Sequence, residues 1–281
     1  MKLIQHFAFI TFALLTSAGT TFSQFGTITE ANLEALEEDT LIVVLTGQEE
    51  FDEALQAVVE KEWDFSPMKY EYEREMRKKY DDGDTLTQFG YFKGRFDSES
   101  GILDDVPFIG LVHGFRSSGK YRMNEDISLY LPFSTGGVSP EYAEAFLTLN
   151  TKVITQYLED LKSGKVLGLG SFVDQIKSHY PEIREKKILI CSEDLQTKEK
   201  NITRTFDFDY SLVYRDEWAR AILSPTDQLV YYLIPSQKYA YHFLIQPSTG
   251  RVFYYAYGME GSRNEGRGQS TMFRTLGEDA E

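Results

Sequence analysis

The side chains best suited to proton transfer, metal ligation or nucleophilic attack are few: His113, His179, His242 and the single cysteine, Cys191, with His6 in the N-terminal segment. Their settings are Val112-His113-Gly114, Ser178-His179-Tyr180 and Tyr241-His242-Phe243. None are close in sequence, and none has the i, i+4 spacing that puts two zinc ligands on one helix face. The sequence therefore predicts no metal and no cofactor. His113 is a pocket candidate because Gly114 lets another chain approach closely at a strand end. Tyr241, His242 and Tyr255 are further candidates, on strands rich in aromatic residues. Cys191 ends the apolar run Lys187-Ile188-Leu189-Ile190-Cys191, which reads as a buried strand with an inert thiol.

Other motifs fail on spacing. Gly168-Leu169-Gly170-Ser171-Phe172 lacks the Gly-x-Ser-x-Gly order of a nucleophile elbow, and Ser171 reads as a helix cap. Gly114-Phe115-Arg116-Ser117-Ser118-Gly119-Lys120 has the interval of a phosphate loop, but Tyr121 stands where magnesium needs Ser or Thr, and a β-hairpin loop is expected instead. Asp81-Asp82-Gly83-Asp84 and Asp97-Ser98-Glu99-Ser100-Gly101 lack the terminal Glu of a calcium loop and read as solvated turns. A hydrolytic carboxylate pair drawn from separate loops stays open as an alternative, because such acids need no local motif.

Elements that would position these residues recur in one order. Thr40–Leu45 reads as a strand covered on both faces, followed by a helix from Glu49 to Glu62, the element Trp63-Asp64-Phe65, a strand over Lys69–Tyr72 and a charged helix around Glu75–Tyr80. After residue 186 come a strand over Lys187–Ile190, a polar helix over Glu193–Thr205, Phe206-Asp207-Phe208, a strand over Leu212–Tyr214 and a helix over Glu217–Leu223. Asp216 is expected to cap that last helix. Three β segments close each half: 88–92, 107–112 and 127–131, then 229–234, 239–245 and 251–255, with Pro247-Ser248-Thr249-Gly250 as a hairpin turn. The fold class is thus α/β with α+β character: two similar β-α-β-α-β-β-β lobes from an internal duplication, each a mixed sheet covered by helices.

Between the lobes, Ser139-Pro140-Glu141 opens a helix whose residues Tyr142, Phe146, Leu149, Val153, Ile154, Tyr157, Leu158 and Leu161 form an apolar stripe. A short helix over Ser171–His179 follows and is halted by Pro181. The expected organisation is a signal peptide at 1–23, a first lobe at 24–138, linker helices at 139–180, a second lobe at 181–259 and a flexible tail at 260–281.

Met1–Ser23 has the layout of a secretory signal: Lys2, the apolar run Phe7–Leu15, and small residues before Gln24. That apolar run is too short for a membrane span, so no transmembrane anchor is expected after cleavage, and the location reads as periplasmic or secreted. The 281 residues carry 29 Lys and Arg against 44 Asp and Glu, a formal charge of −15 with no basic cluster, which opposes nucleic-acid binding. Removal of Lys2 with the signal makes the balance more negative still.

The ending Phe22-Ser23-Gln24, the segment Lys186–Cys191 and the corner Arg215-Asp216-Glu217-Trp218-Ala219 resemble uncharacterised exported proteins of Bacteroidota. The resemblance implies export and transfers no residue role. The functional expectation is a non-enzymatic envelope binding or scaffolding protein whose partner is an envelope protein, peptide or glycan, held between the lobes or on the aromatic strands. A secreted or periplasmic hydrolase is the alternative.

Overall fold

Five consecutive apolar residues make β1 (Leu41–Leu45), and all five are buried because this strand lies inside a sheet covered on both faces. The chain is represented by a computed structural model that describes residues 30–96, 103–122, 127–132, 140–167, 169–195, 202, 206–224, 227–235, 239–259 and 274–276. The expected signal peptide lies outside them. Helix α1 (Glu30–Glu38) precedes β1; α2 (Glu49–Glu62), β2 (Met68–Tyr72), α3 (Glu73–Lys79), β3 (Thr87–Phe96), β4 (Leu103–His113), β5 (Lys120–Arg122) and β6 (Ile127–Pro132) follow. The first sheet has the order β2-β1-β3-β4-β6, with β1 parallel to both β2 and β3, and with β4 and β6 antiparallel.

The second half supplies α4 (Pro140–Lys162), α5 (Leu169–Ser178), α6 (Tyr180–Ile183), β7 (Ile188–Cys191), β8 (Tyr210–Val213), α7 (Arg215–Leu223), β9 (Leu229–Pro235), β10 (Tyr239–Gln246) and β11 (Arg251–Met259). Its sheet has the order β11-β10-β9-β7-β8, with β7 parallel to β8 and β9 and the other pairs antiparallel. Strand order and direction therefore repeat the first sheet's β6-β4-β3-β1-β2. The α/β class with two mixed sheets is what the sequence predicts.

Helix α4 is the middle of the molecule. Phe146, Leu149, Val153, Ile154, Tyr157, Leu158 and Leu161 are buried as the stripe predicts, Asn150 is buried among them with its Nδ2 donating to the Phe146 carbonyl, and Thr148 and Thr151 off the stripe are buried too. One continuous core takes Val43, Phe89 and Leu111 of the first sheet, this helix, and Val230, Tyr232 and Phe243 of the second. Smaller cores lie on the outer faces: Ile42, Val44, Met76, Phe92, Phe108 and Phe115 on the first sheet, and Ile188, Ile190, Tyr231 and Leu244 on the second.

The two sheets meet α4 with non-equivalent faces. In the first, α2 sits on the α4 side and α3, through Met76, on the outer side. In the second, the β7–β8 connection, through Ile202 and Phe206, lies outside, while α7, through Trp218, lies against α4. Successive crossovers must take opposite faces where β2 and β3 flank β1 on opposite sides, because such connections are right-handed.

Several local expectations change. The segment 114–119 is not a hairpin loop: β4 pairs with one edge of β3, whereas β5 pairs in parallel with the other edge at Lys93–Arg95, so the loop crosses over β3. The helix read over Glu193–Thr205 begins instead as a 3-10 turn at Ser192–Asp194, ended by extended Leu195; further along Ile202 is helical, its carbonyl accepting from the Phe206 amide at 2.8 Å, and residues 196–201 and 203–205 lie outside the described residues. Arg215 holds Asp194 in a two-pronged ion pair, and Ser192 Oγ donates to the Val213 carbonyl, so the turn is tied to β8 and α7 rather than free to propagate. Asp216 is not the cap of α7, since Tyr214 holds that position without a side-chain hydrogen bond and Asp216 accepts from the Tyr142 hydroxyl instead. Helix α5 ends at Ser178, ahead of Pro181 as read, and Pro181 itself lies in the first turn of the separate helix α6, where its missing N–H costs nothing. In the stretch read as a tail, Arg274–Leu276 form a helical turn, and Leu276 is fully buried in the second sheet's outer core.

Candidate functional site

A cavity of about 340 Å³ opens where β1 stops and β5 begins along the same edge of β3. In open α/β sheets, ligand crevices form beyond the carboxyl end of a strand whose two neighbours connect in opposite directions, and β1 is that strand here. The cavity lies on the outer face of the first sheet, between α3 and the crossing loop.

Three hydrogen bonds to the connection between α3 and β3 hold the loop in place. The Gly114 amide donates to the Leu86 carbonyl at 2.8 Å, the Phe115 amide to the Asp84 carbonyl at 2.9 Å, and the Ser117 amide to the Asp82 carboxylate at 2.5 Å. The Ser117 contact keeps the Asp82 carboxyl below the usual carboxylate range. Phe115 is buried beside Tyr80, ring centres 5.8 Å apart. Gly114 and Gly119 have φ of +85° and +67°, the left-handed region that a side chain would strain. A Cβ on Gly119 would also stand 3.0 Å from Glu73 Oε1 and 3.1 Å from Arg77 Nη2, so the backbone lies directly on that ion pair.

The floor is aromatic and the walls are polar. Phe92 meets Tyr121 edge-on with centres 5.0 Å apart. Gln88 is buried; its Nε2 donates to the Gly114 carbonyl at 2.6 Å, and its Oε1 accepts from the Tyr121 hydroxyl at 3.3 Å. Arg77, Arg116 and Lys120 line the space, with Glu73 the one acid among the lining residues, paired to Arg77 at 2.5 Å. The turn after β1 is closed on itself, since Asp52 accepts from the amides of Thr46 and Gly47 and from the Thr46 hydroxyl. Those amides are not offered to a ligand.

The corresponding place in the second sheet is filled. The spacing that pairs Tyr72 with Tyr214, the residues preceding α3 and α7, also pairs Glu73 with Arg215 and Gly90 with Tyr232. Arg215 ties down Asp194 and Glu193 and lies 5.7 Å from the Phe146 ring. Tyr232 packs on Phe146 and Trp218, so helix α4 and two large rings occupy what the first sheet leaves open.

None of the sequence candidates lines the cavity. His113 is exposed at the end of β4, Tyr241 is buried against α4's side, and Tyr255 is half-buried on Phe243, centres 5.1 Å apart. His242 is fully buried on the opposite face of β10, with Nδ1 2.7 Å from the Tyr231 hydroxyl. His179 pairs with Glu182 at 2.9 Å within one turn of chain. Sequence reasoning missed Gln88, Arg77, Arg116 and Lys120 as a group; its one pointer was the Gly-x-x-x-x-Gly-Lys segment, which supplies Arg116, Ser118, Gly119 and Lys120 without opening a helix. Among the described residues no group of three or more His, Cys, Asp and Glu is placed to hold a metal, and no helix is long and apolar enough to cross a membrane. Comparison of the chain with protein-family models, with curated proteins and with solved structures returns no match.

Proposed function

We propose that the chain is an exported, non-enzymatic binding protein of the cell envelope, periplasmic or secreted, that holds a small ligand in the cavity at the end of β1. The observation that carries this reading is the contrast between the two sheets: the same topology is filled by Tyr232, Phe146 and the Arg215–Asp194 pair in one and left open over a polar, preorganised wall in the other. A space of about 340 Å³ is at the lower end of the range for small-molecule sites. It suits a single small molecule better than the protein, peptide or glycan partner expected from the aromatic strands, on which Tyr231, Tyr232, Tyr241, Phe243, Phe253 and Tyr254 are buried. The repeated topology also supports a duplicated unit in which one copy kept the cavity.

The hydrolase alternative has less support. The cavity lining contains no histidine, and its one acid is occupied by Arg77. The export half of the reading rests on the N-terminal layout, Lys2 and Phe7–Leu15 before the small residues ending at Ser23.

The test is a ligand-observed NMR screen of the full chain against a mixed library of small neutral, cationic and anionic metabolites, followed by amide-shift mapping. Shifts clustered at Thr46, Gln88 and Gly119 are expected. Binders that map elsewhere, or turnover of a hydrolase substrate, would displace the reading.

A further inference from the structure

We infer that the ligand is a small uncharged ring carrying an amide-like group, a hydrogen-bond donor and acceptor side by side. The inference rests on reading the cavity as the binding site and adds the chemical class of its occupant. An ion is disfavoured because the charges lining the space are already matched. Arg77 is paired with Glu73 at 2.5 Å, one turn away on α3. Asp82 is held below the usual carboxylate range by Ser117 first and then by the Arg116 guanidinium, so Arg116 has its counter-charge beside the loop. Lys120 too has a partner within the chain. An ion entering here would leave water without meeting an unmatched opposite charge, and its desolvation would go uncompensated.

The wall offers donors and acceptors together instead. The Glu73–Arg77 bond joins Oε1 to Nη2, and neither Glu73 Oε2 nor Arg77 Nη1 makes another hydrogen bond among the described residues. The loop backbone lies against the bonded atoms, so close that a Cβ on Gly119 would stand 3.0 Å from one and 3.1 Å from the other. That loop is anchored at Leu86, Asp84 and Asp82, so little ordering cost falls on binding. One member of the pair accepts and the other donates, which is the complement of a carboxamide, a lactam or the edge of a nitrogen heterocycle. The Gln48 side-chain amide and the Ser118 hydroxyl line the same space and offer both roles again. Beneath them Phe92, Phe115 and Tyr121 are buried in the outer core and give an apolar floor that a ring would cover.

Benzamide, its charged isosteres benzoate and benzamidinium, the donor-free ketone acetophenone and the ring-free acetamide, each titrated into the full chain by heteronuclear NMR, test the assignment. Benzamide is expected to shift the Gly119 and Gln88 amides, with the other four about tenfold weaker or more, the scale of one hydrogen bond to a charged group. Glu73→Gln leaves Arg77 without its counter-charge and is expected to turn the preference to benzoate. Arg77→Gln leaves Glu73 without its own and should turn it to benzamidinium. Both side chains are about half exposed, so each variant keeps the core intact and provides its own comparison. Benzoate or benzamidinium binding the unaltered chain as well as benzamide would overturn the ligand's neutrality while leaving the cavity as the site. Acetophenone binding as well as benzamide would overturn the donor, and acetamide doing so would overturn the ring. An unchanged order of preference in both variants would remove the Glu73–Arg77 pair as the recognising group and with it the inference. Silence at both amides with every probe would overturn the inference too, and silence there throughout the metabolite library as well would take the binding site with it.

Discussion

At the scale of single residues, the second sheet's outer core contains a buried titratable ring. His242 has one ring nitrogen against Tyr231 and no hydrogen-bond partner for Nε2 among the described residues, and burial pushes its pKa down from 6.5 to about 4. Above pH 6.5 the ring is neutral in both the native and unfolded chain and contributes no pH dependence. Between 6.5 and 4 the unfolded chain takes up a proton that the native ring refuses, so stability falls as pH falls and levels off below 4. The loss is on the order of 3 kcal/mol. Urea unfolding at pH 7 and pH 4.5 should show this, and His242→Phe should have the shallower pH slope; parallel slopes would remove His242 as the cause.

Cys191 poses the opposite question, whether a lone thiol is reactive. Burial, with the nearby Asp194 charge adding to it, pushes the thiol up to about 11, so at pH 8 only about one molecule in a thousand carries the thiolate. Iodoacetamide should modify the native chain negligibly over hours and the urea-unfolded chain to completion within minutes. Stoichiometric labelling of the native chain would contradict the buried-strand setting.

At the scale of elements, the β10–β11 hairpin fixes how the second sheet rests on α4. A Cβ placed on Gly250 would be 2.2 Å from the Lys152 carbonyl oxygen, and φ there is +74°. Lys152 Nζ in turn donates to the Pro247 carbonyl at 3.0 Å, so the turn and the helix grip each other. Gly250→Ala combines backbone strain with an overlap that cannot rotate away and should cost about 2–5 kcal/mol, read as a lower urea midpoint. An unchanged midpoint would mean that the hairpin lifts off α4 freely.

The same elements show what was legible in the sequence. The β-branched run of β1, the stripe of α4 and the Pro247–Gly250 turn each carry a local signal, periodic or conformational, and each forms as read. The helix expected after β7 did not form at its start because Arg215, more than twenty positions away, captures Asp194, and no local pattern encodes such a partner. The cavity was illegible for the same reason. Its residues come from β1, α3, β3 and the loop before β5, and that loop became a wall only because β5 pairs across β3 instead of beside β4. The aromatic strands misled on function because period-2 alternation tells which residues share a face, not which face meets solvent, and here helices or loops cover both.

At the scale of the whole molecule, the segment between the halves determines how it unfolds. A true linker would leave two lobes with separate cores and two transitions. Instead α4 is buried nearly all round in its middle, and one core runs from Val43 through Leu149 to Phe243. Neither sheet can keep its α4-facing side covered if the other leaves, since each would expose Phe89 and Leu111, or Val230 and Tyr232, to water. Thermal unfolding is therefore expected to be a single transition, with calorimetric and van't Hoff enthalpies equal, in spite of the chain's length. Leu149→Ala, a truncation of about 2–5 kcal/mol at the fully buried centre of α4, should lower that one midpoint and move tryptophan signals from both halves, Trp63 and Trp218, together. If Trp63 and Trp218 report different midpoints, the halves hold separate cores and α4 belongs to only one of them.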